Sequence, residues 1–269
     1  MTDDVFHENV VVLTGASRGI GRALARALAG RGAWLALAAR DIARLEQVAE
    51  ECRGLGGRAF ALQTDVCDQT QCQRLIARSV NEYGRIDTLI NNAGVTMWAR
   101  FEDLQDLAPL ETVMRTNYFG SVYCTYAALP YLKRAHGRIV AISSLAGKSG
   151  IPTRSGYAAS KHAMQGFFDS LRIELAGYGV SVTIVCPDFV ASEARGRAFG
   201  PDGAPLGKSP VQESKVMTAE TCARLTLKAA ARRQREEIMG LRGKAGMWLK
   251  MIAPGLVDRI ARRAIERGR

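Results

Sequence analysis

The stretch Asn9–Thr14, NVVVLT, runs without a break into Gly15-Ala16-Ser17-Arg18-Gly19-Ile20-Gly21 and the helically spaced apolar residues of Gly19–Arg31. An apolar run that ends in a glycine-rich turn and restarts as a helix reads as the first strand-to-helix unit of a parallel α/β sheet. Gly15 allows the tight turn, Gly19 lets backbone approach a pyrophosphate, and Gly21 permits close helix–strand packing. The helix N-terminus adds N–H donors and the positive end of a dipole, so a dinucleotide is expected on Gly15, Ser17, Arg18, Gly19, Ile20 and Gly21.

The same beat continues along the chain. Ala33–Ala39, Arg58–Gln63, Ile86–Asn91, Arg138–Ile142 and Val180–Cys186 read as buried strands, and Ile42–Gly54, Asp68–Tyr83, Pro109–Ala135 and Gly156–Tyr178 as helices. Strands apolar on both faces and separated by helices imply a parallel sheet covered on both sides. A helix at Thr218–Arg235 and a strand at Glu237–Gly240 complete an expected α/β Rossmann-type doubly wound sheet of about seven strands. It forms a single domain over residues 1–240. The Gly/Pro-rich stretch Glu193 to Pro210 breaks the rhythm and predicts a substrate lid over 193–217; residues 241–269 form a basic amphipathic extension.

Composition bounds the function. The chain has 269 residues, 47% hydrophobic and 23% charged, which excludes disorder, collagen and a disulfide-dense scaffold. Its six cysteines are scattered without metal-ligand spacing, so reduced thiols, no metal and a cytoplasmic setting are expected. Neither a signal peptide nor a spanning segment is visible. Between Cys222 and Arg269 stand 13 Lys and Arg against 4 Asp and Glu, +9 of the net +11. The nearly neutral remainder carries no electrostatic footprint for nucleic acid.

After the second strand, Ala38-Ala39-Arg40 stands where an NAD site would place an acid. Arg40 and Arg18 put two guanidinium groups where a 2′-phosphate would sit, so NADP(H) is expected over NAD(H), with Asp41 read as a helix cap. Tyr157 and Lys161 are spaced i, i+4 on one helix face, where an ammonium favours the phenolate and tunes the phenol for acid/base work. Ser143-Ser144 closes the fifth strand, at the edge where strand ends converge.

Taken together, Thr14-Gly-Ala-Ser-Arg-Gly-Ile-Gly21, Asp65-Val66, Asn91-Asn-Ala-Gly94, Asn117, Ser144 and Tyr157-Ala-Ala-Ser-Lys161 resemble the short-chain dehydrogenase/reductase family over about residues 9–192. The resemblance implies that Tyr157 gives its proton to a carbonyl oxygen as a hydride arrives from the nicotinamide. Lys161 would hold the nicotinamide ribose and lower the Tyr157 pKa, Ser144 would hydrogen-bond the substrate oxygen, and Asn117 would position a relay water. Ser143 is the neighbouring alternative to Ser144. The resemblance places Asp65 and Val66 at the adenine ring, with helix capping the alternative for Asp65. It places Asn92, Ala93 and Gly94 along the cofactor cleft, and Pro187, Val190 and Ser192 at the carboxamide. Asp188 departs from the family's glycine, so an altered substrate entrance with cofactor binding kept is expected.

Met97, Trp98 and Phe199 are candidate pocket walls. Arg154–Phe168 and Ala253-Pro254-Gly255-Leu256 are similar to the dehydrogenase/reductase member seven branch, whose animal members are membrane-associated. In the tail, Trp248, Leu249, Met251, Ile252, Leu256, Val257 and Ile260 fall on a helical apolar stripe. Lys250, Arg259, Arg262, Arg263 and Arg267 lie largely opposite it, as in a helix that rests on an anionic membrane surface. Packing on the body or on a second subunit is the alternative. The expected protein is an NADP(H)-dependent oxidoreductase of a carbonyl or secondary alcohol on a hydrophobic lipid, steroid or retinoid-like substrate, as a homodimer or homotetramer. A 3-oxoacyl-thioester reductase, a silent NADP sensor and a membrane-surface interaction protein are the alternatives.

Overall fold

The computed structural model describes residues 4–191, 196–207 and 216–266. Seven parallel strands form one sheet: β1 Val10–Thr14, β2 Trp34–Ala39, β3 Arg58–Gln63, β4 Thr88–Asn91, β5 Arg138–Ile142, β6 Ser181–Cys186 and β7 Glu236–Ile238. Their spatial order is β3-β2-β1-β4-β5-β6-β7. The chain winds outward from β1 to β3, then returns to the other side of β1 through β4. β1 and β4 are therefore neighbours, with Leu13 opposite Ile90, and the loops at their C-terminal ends diverge to leave a crevice.

Strand residues alternate between two cores because successive side chains point to opposite faces. Val11, Leu13, Leu35 and Leu37 pack under α1 Gly19–Ala29, α2 Ile42–Gly54 and α7 Ala219–Ala231. Val12, Ala36 and Ala38 face the other side with Leu75 of α3 Gln69–Tyr83, Cys124 of α5 Gly120–Arg134 and Phe168 of α6 Ser155–Glu174. That two-sided burial is what makes β1 apolar at every position.

The segment expected as one helix over Pro109–Ala135 is divided. α4 Ala108–Met114 passes into a π-helical turn, Arg115–Phe119, before α5 begins. Asn117 sits in that turn. A wide turn inserts an extra residue into the helix and changes which side chains face inward. α7 ends earlier than expected, and Arg233 just beyond it adopts a left-handed backbone, φ +51°. The last strand lies at Glu236–Ile238, nearer α7 than 237–240. The tail stripe is carried by two helices, α8 Leu241–Ile252 and α9 Pro254–Glu266. They part at Ala253 because the Pro254 ring disfavours helical backbone in the residue before it.

Candidate active site

The first turn is closed from both sides. Thr14 Oγ1 accepts from the backbone N–H groups of Asn92 and Ala93, each at 3.0 Å. Asn92 Nδ2 in turn donates to the carbonyls of Thr14 and Gly15 at 2.9 and 3.0 Å. These bonds fasten the end of β1 to the end of β4. Gly15 has φ +66°, and a Cβ there would lie 2.7 Å from the Ala93 Cα; a Cβ on Gly21 would overlap the Gly15 carbonyl oxygen. Gly19 is likewise left-handed, φ +49°. The N-cap of α1, Arg18, makes no side-chain capping bond to the first turn. Ser17 and Ile20 flank this turn, half-buried.

Asp41 caps α2 through Oδ1 on the Arg44 N–H, 3.2 Å, as expected of a helix cap. Its Oδ2 also pairs with Arg18 Nη2 at 2.7 Å, and this bond holds the Asp41 carboxyl below its ordinary pKa, with the Arg44 N–H adding to it. The sequence reading missed this pairing. Arg40 is exposed at the end of β2, and its carbonyl accepts from Gln63 Nε2. Asp65 does not cap α3. That place belongs to Asp68, while Asp65 Oδ1 accepts from the Cys67 N–H at 3.0 Å in a local turn. Val66 is buried and packs close to Gly120, whose Cβ would meet it at 2.7 Å.

At the other side of the crevice, Ser143 and Ser144 separate. The Ser143 hydroxyl is buried beneath α6, where Gln165 Nε2 donates to it at 3.2 Å. Ser144 Oγ accepts from the Ala146 N–H at 3.1 Å and lies near enough to the Tyr157 phenol to favour its ionised form. Lys161, only 4% exposed, donates from Nζ to the Ile142 carbonyl at 2.8 Å and lies 5.8 Å from the Tyr157 ring centre. Burial alone would raise the Tyr157 pKa, but the charges of Lys161 and Arg154 and hydrogen bonds from Ser144 and Arg154 outweigh it, and the net shift is downward. Burial also lowers the pKa of Lys161.

Asn117 is fully buried and both polar atoms of its amide are bonded. Oδ1 accepts from the Val95 N–H at 2.8 Å, while Nδ2 donates to the Val95 carbonyl at 3.0 Å and to Ser160 Oγ at 2.9 Å. Ser160 Oγ donates to the Tyr157 carbonyl at 2.8 Å. The side chain thus braces the segment after β4 against the start of α6, and Gly94 leaves room for it.

Pro187 is buried and accepts from the Leu145 N–H at 3.0 Å, while Val190 is buried and bridges to Met217. Asp188 is exposed and its backbone is not left-handed, so the glycine usual at this position in the resemblance is not required by the turn. Ser192 lies outside the described residues, as do parts of the expected lid, 193–195 and 208–215, and Arg267. The described part of the lid is anchored: Phe199 accepts from the Trp98 N–H at 2.8 Å and donates to the Thr96 carbonyl at 3.0 Å. Met97 is core, packed with Phe199 against Tyr157. Trp98 instead flanks Arg154, a residue the sequence reading left without a role. Its only signal was its place three residues before Tyr157, at the N-cap of the helix that carries Tyr157 and Lys161. A separate surface cavity of about 220 Å³, lined by Gly84, Arg85, Asp87, Tyr131, Arg134 and Ala135, opens at the opposite end of the strands.

The sheet order, the glycine turn and the Ser144–Tyr157–Lys161 cluster coincide at one strand edge. The sequence family described as short chain dehydrogenase matches residues 9–200, and the chain belongs to that family of oxidoreductases. Among curated relatives, 11-beta-hydroxysteroid dehydrogenase 1A of Arabidopsis thaliana is 39% identical over 265 residues, 94% of this chain and 76% of that protein. The 11-beta-hydroxysteroid dehydrogenase-like 4A protein of the same plant is 44% identical over 182 residues, 67% of this chain and 60% of that one. Among solved structures, a short chain dehydrogenase/reductase from Burkholderia phymatum in complex with NAD superposes with TM-score 0.83 at 26% identity, covering 95% of this chain and 96% of that one. An alcohol dehydrogenase from the archaeon Thermococcus sibiricus complexed with 5-hydroxy-NADP gives TM-score 0.76 at 28% identity, covering 86% and 95%.

Proposed function

We propose that the protein is an NADP(H)-dependent oxidoreductase that interconverts a carbonyl and a secondary alcohol on a hydrophobic substrate. The observation that carries this reading is the half-buried Tyr157 phenol, set beside Ser144 and Lys161 at the strand edge that also bears the glycine turn. A dinucleotide fits that turn, because a Cβ at Gly15 would press on Ala93 and one at Gly21 would overlap the Gly15 carbonyl, so only glycine lets β1, α1 and the loop after β4 close into so tight a strand-to-helix turn. A bound nicotinamide supplies or accepts a hydride. In reduction Tyr157 donates its proton to the substrate oxygen, Ser144 orients that oxygen, and Lys161 stabilises the phenolate left behind. Asn117 acts through Val95 and Ser160, holding the loop and helix that carry the site.

The NADP(H) preference rests on Arg40, exposed at the end of β2, and on Arg18, which pairs with the following residue, Asp41. Each charge-assisted hydrogen bond to a phosphate is worth about 1.5–3 kcal/mol. Arg40→Ala is therefore expected to lower the ratio of kcat/KM for NADPH over NADH by about tenfold or more. A wild-type chain that prefers NADH would exclude this preference. The apolar substrate class is supported by Met97, Leu110 and Phe199 packed around Tyr157, and by relatives that bear hydroxysteroid dehydrogenase names. A panel of apolar ketones, sterol ketones and 3-oxoacyl thioesters, followed by NADPH consumption, ranks the classes. Turnover confined to the thioesters would replace the sterol-like reading.

A membrane contact through the tail is favoured by a specific observation. Trp248, Met251 and Ile252 are 67%, 76% and 80% exposed, while Arg259, Arg262 and Arg263 line α9. α8 is seated beside the active-site loop: a Cβ on Gly243 would meet Leu145 at 2.7 Å, and Lys250 Nζ donates to the Lys148 carbonyl at 2.8 Å. Trp248→Ser/Ile252→Ser is expected to reduce co-sedimentation with phosphatidylserine vesicles about tenfold or more, since each exposed apolar side chain buries about 1.5–3 kcal/mol. Equal pelleting of both forms would end this reading.

A further inference from the structure

Arg154 is 7% exposed, yet its guanidinium stands inside the site. It lies 4.3 Å from the centre of the Tyr157 ring, 5.2 Å from that of Trp98 and 5.7 Å from that of Phe189. Three separate segments supply this aromatic slot: the loop after β4, the start of α6 and the loop after β6. Nη2 donates to Thr96 Oγ1 at 2.8 Å, which fixes the rotation of the group. The backbone that delivers Arg154 is itself unusual. Thr153, immediately before it, has φ +65°, a left-handed conformation in which a β-branched residue is an outlier. Its carbonyl accepts from the Ala99 N–H at 2.8 Å, so the contact with the β4 loop holds the strained residue in place. Such strain, of order 1–3 kcal/mol per residue, persists only where surrounding contacts over-determine it.

We propose that Arg154 is a positioning residue for Tyr157, its guanidinium clamped against the phenol ring so that it favours the phenolate and fixes the ring's orientation. This rests on the reading of Tyr157 as the proton donor and acceptor. The geometry gives the pair a purpose that packing alone does not. A buried guanidinium is always charged, prefers aromatic faces, and stabilises a neighbouring anion more strongly as solvent is withdrawn. Among the described residues, the other groups that act on the ionisation of Tyr157 are Lys161 on α6 and Ser144 after β5, and Lys161 in turn faces Cys186 at the end of β6. The side chains packed on the remaining side, Met97, Leu110, Val113 and Phe199, are apolar. Two cations therefore act on the phenol, Lys161 from α6 and Arg154 from the residue just before it, and the phenol's net downward shift agrees with their joint action. The second cation lies N-terminal to the phenol and is independent of any nicotinamide-binding duty carried by Lys161.

The test titrates Tyr157 without a substrate. Tyrosinate absorbance is followed with pH in wild type and in Tyr157→Phe, and the difference isolates the one phenol; the same pair is measured in the Arg154→Gln background. The midpoint is expected to rise by about one pH unit on loss of the charge, the low end for an opposite charge at this range. Arg154→Lys, which keeps the charge, is expected to restore most of the wild-type midpoint. An unchanged midpoint in Arg154→Gln, or an equal rise in both variants, would overturn the proposal. Should the glutamine variant fail to fold, Phe189→Leu opens the slot while keeping the arginine and is expected to raise the midpoint by a smaller step; no step there counts equally against it. Dinucleotide consumption by the unmodified chain is measured alongside. Its absence would sink the oxidoreductase reading while leaving a shifted Tyr157 titration in favour of the pairing, and turnover with no shift would do the reverse.

Discussion

Tyr157→Phe is expected to lower turnover of the best carbonyl substrate by about 10²–10⁴-fold, the range general acid–base catalysis supplies, while NADPH still binds. The substitution removes one oxygen and leaves the ring between Arg154 and the apolar cluster of Met97 and Phe199, so the fold has little reason to change. The pH dependence carries the sign of the mechanism. Reduction requires the protonated phenol and should fall as pH rises through the Tyr157 pKa, whereas alcohol oxidation requires the phenolate and should rise over the same range. Because Lys161, Arg154 and Ser144 outweigh burial, that range lies below the ordinary tyrosine value of 10.0. Initial rates in both directions across pH, with the variant beside the wild type, decide the matter. A variant that retains turnover removes Tyr157 from the chemistry.

Gly21→Ala is the second substitution with a large expected effect, and it acts on binding. The added Cβ would overlap the Gly15 carbonyl oxygen and lie 2.7 Å from Asn92 Nδ2, the atom that fastens the turn to β4. Neither neighbour is the free end of a flexible chain, so relief must come from displacement of the turn itself. Forcing a methyl group into packed backbone costs about 1–3 kcal/mol. If that displacement is relieved only when the dinucleotide is absent, NADPH affinity falls by about 10- to 100-fold. Titration of NADPH by its fluorescence, together with thermal melting, separates loss of binding from loss of fold. Unchanged affinity would show that the pyrophosphate does not meet this turn.

Much of the scaffold is legible locally. The glycine turn, the period-two strands and the helical spacing of Tyr157 and Lys161 are properties of neighbours within a few residues, where backbone geometry dictates which side chains share a face. Helix ends were less legible. The π-helical turn at Arg115–Phe119 depends on how Asn117 is drawn to Val95 and Ser160, and that demand comes from other segments. The tail reads as one stripe, but Pro254 divides it into two helices. Asp41 could be recognised as a cap from its position before α2, while its bond to Arg18, 23 residues away, could not.

The sequence by itself determined a doubly wound parallel sheet, a glycine turn shaped for a dinucleotide, and a tyrosine and lysine one helical turn apart. Only the tertiary structure buried Ser143 beneath α6 while leaving Ser144 beside the phenol, and tied the Asn117 amide to Val95 and Ser160. It alone set Arg154 in a slot built with Trp98 and Phe189. The physical reason is common to all three. Periodicity encodes which face a residue occupies, whereas these contacts, between residues 13 to 91 positions apart, follow from strand order and the docking of loops at the sheet edge, and no local spacing records them.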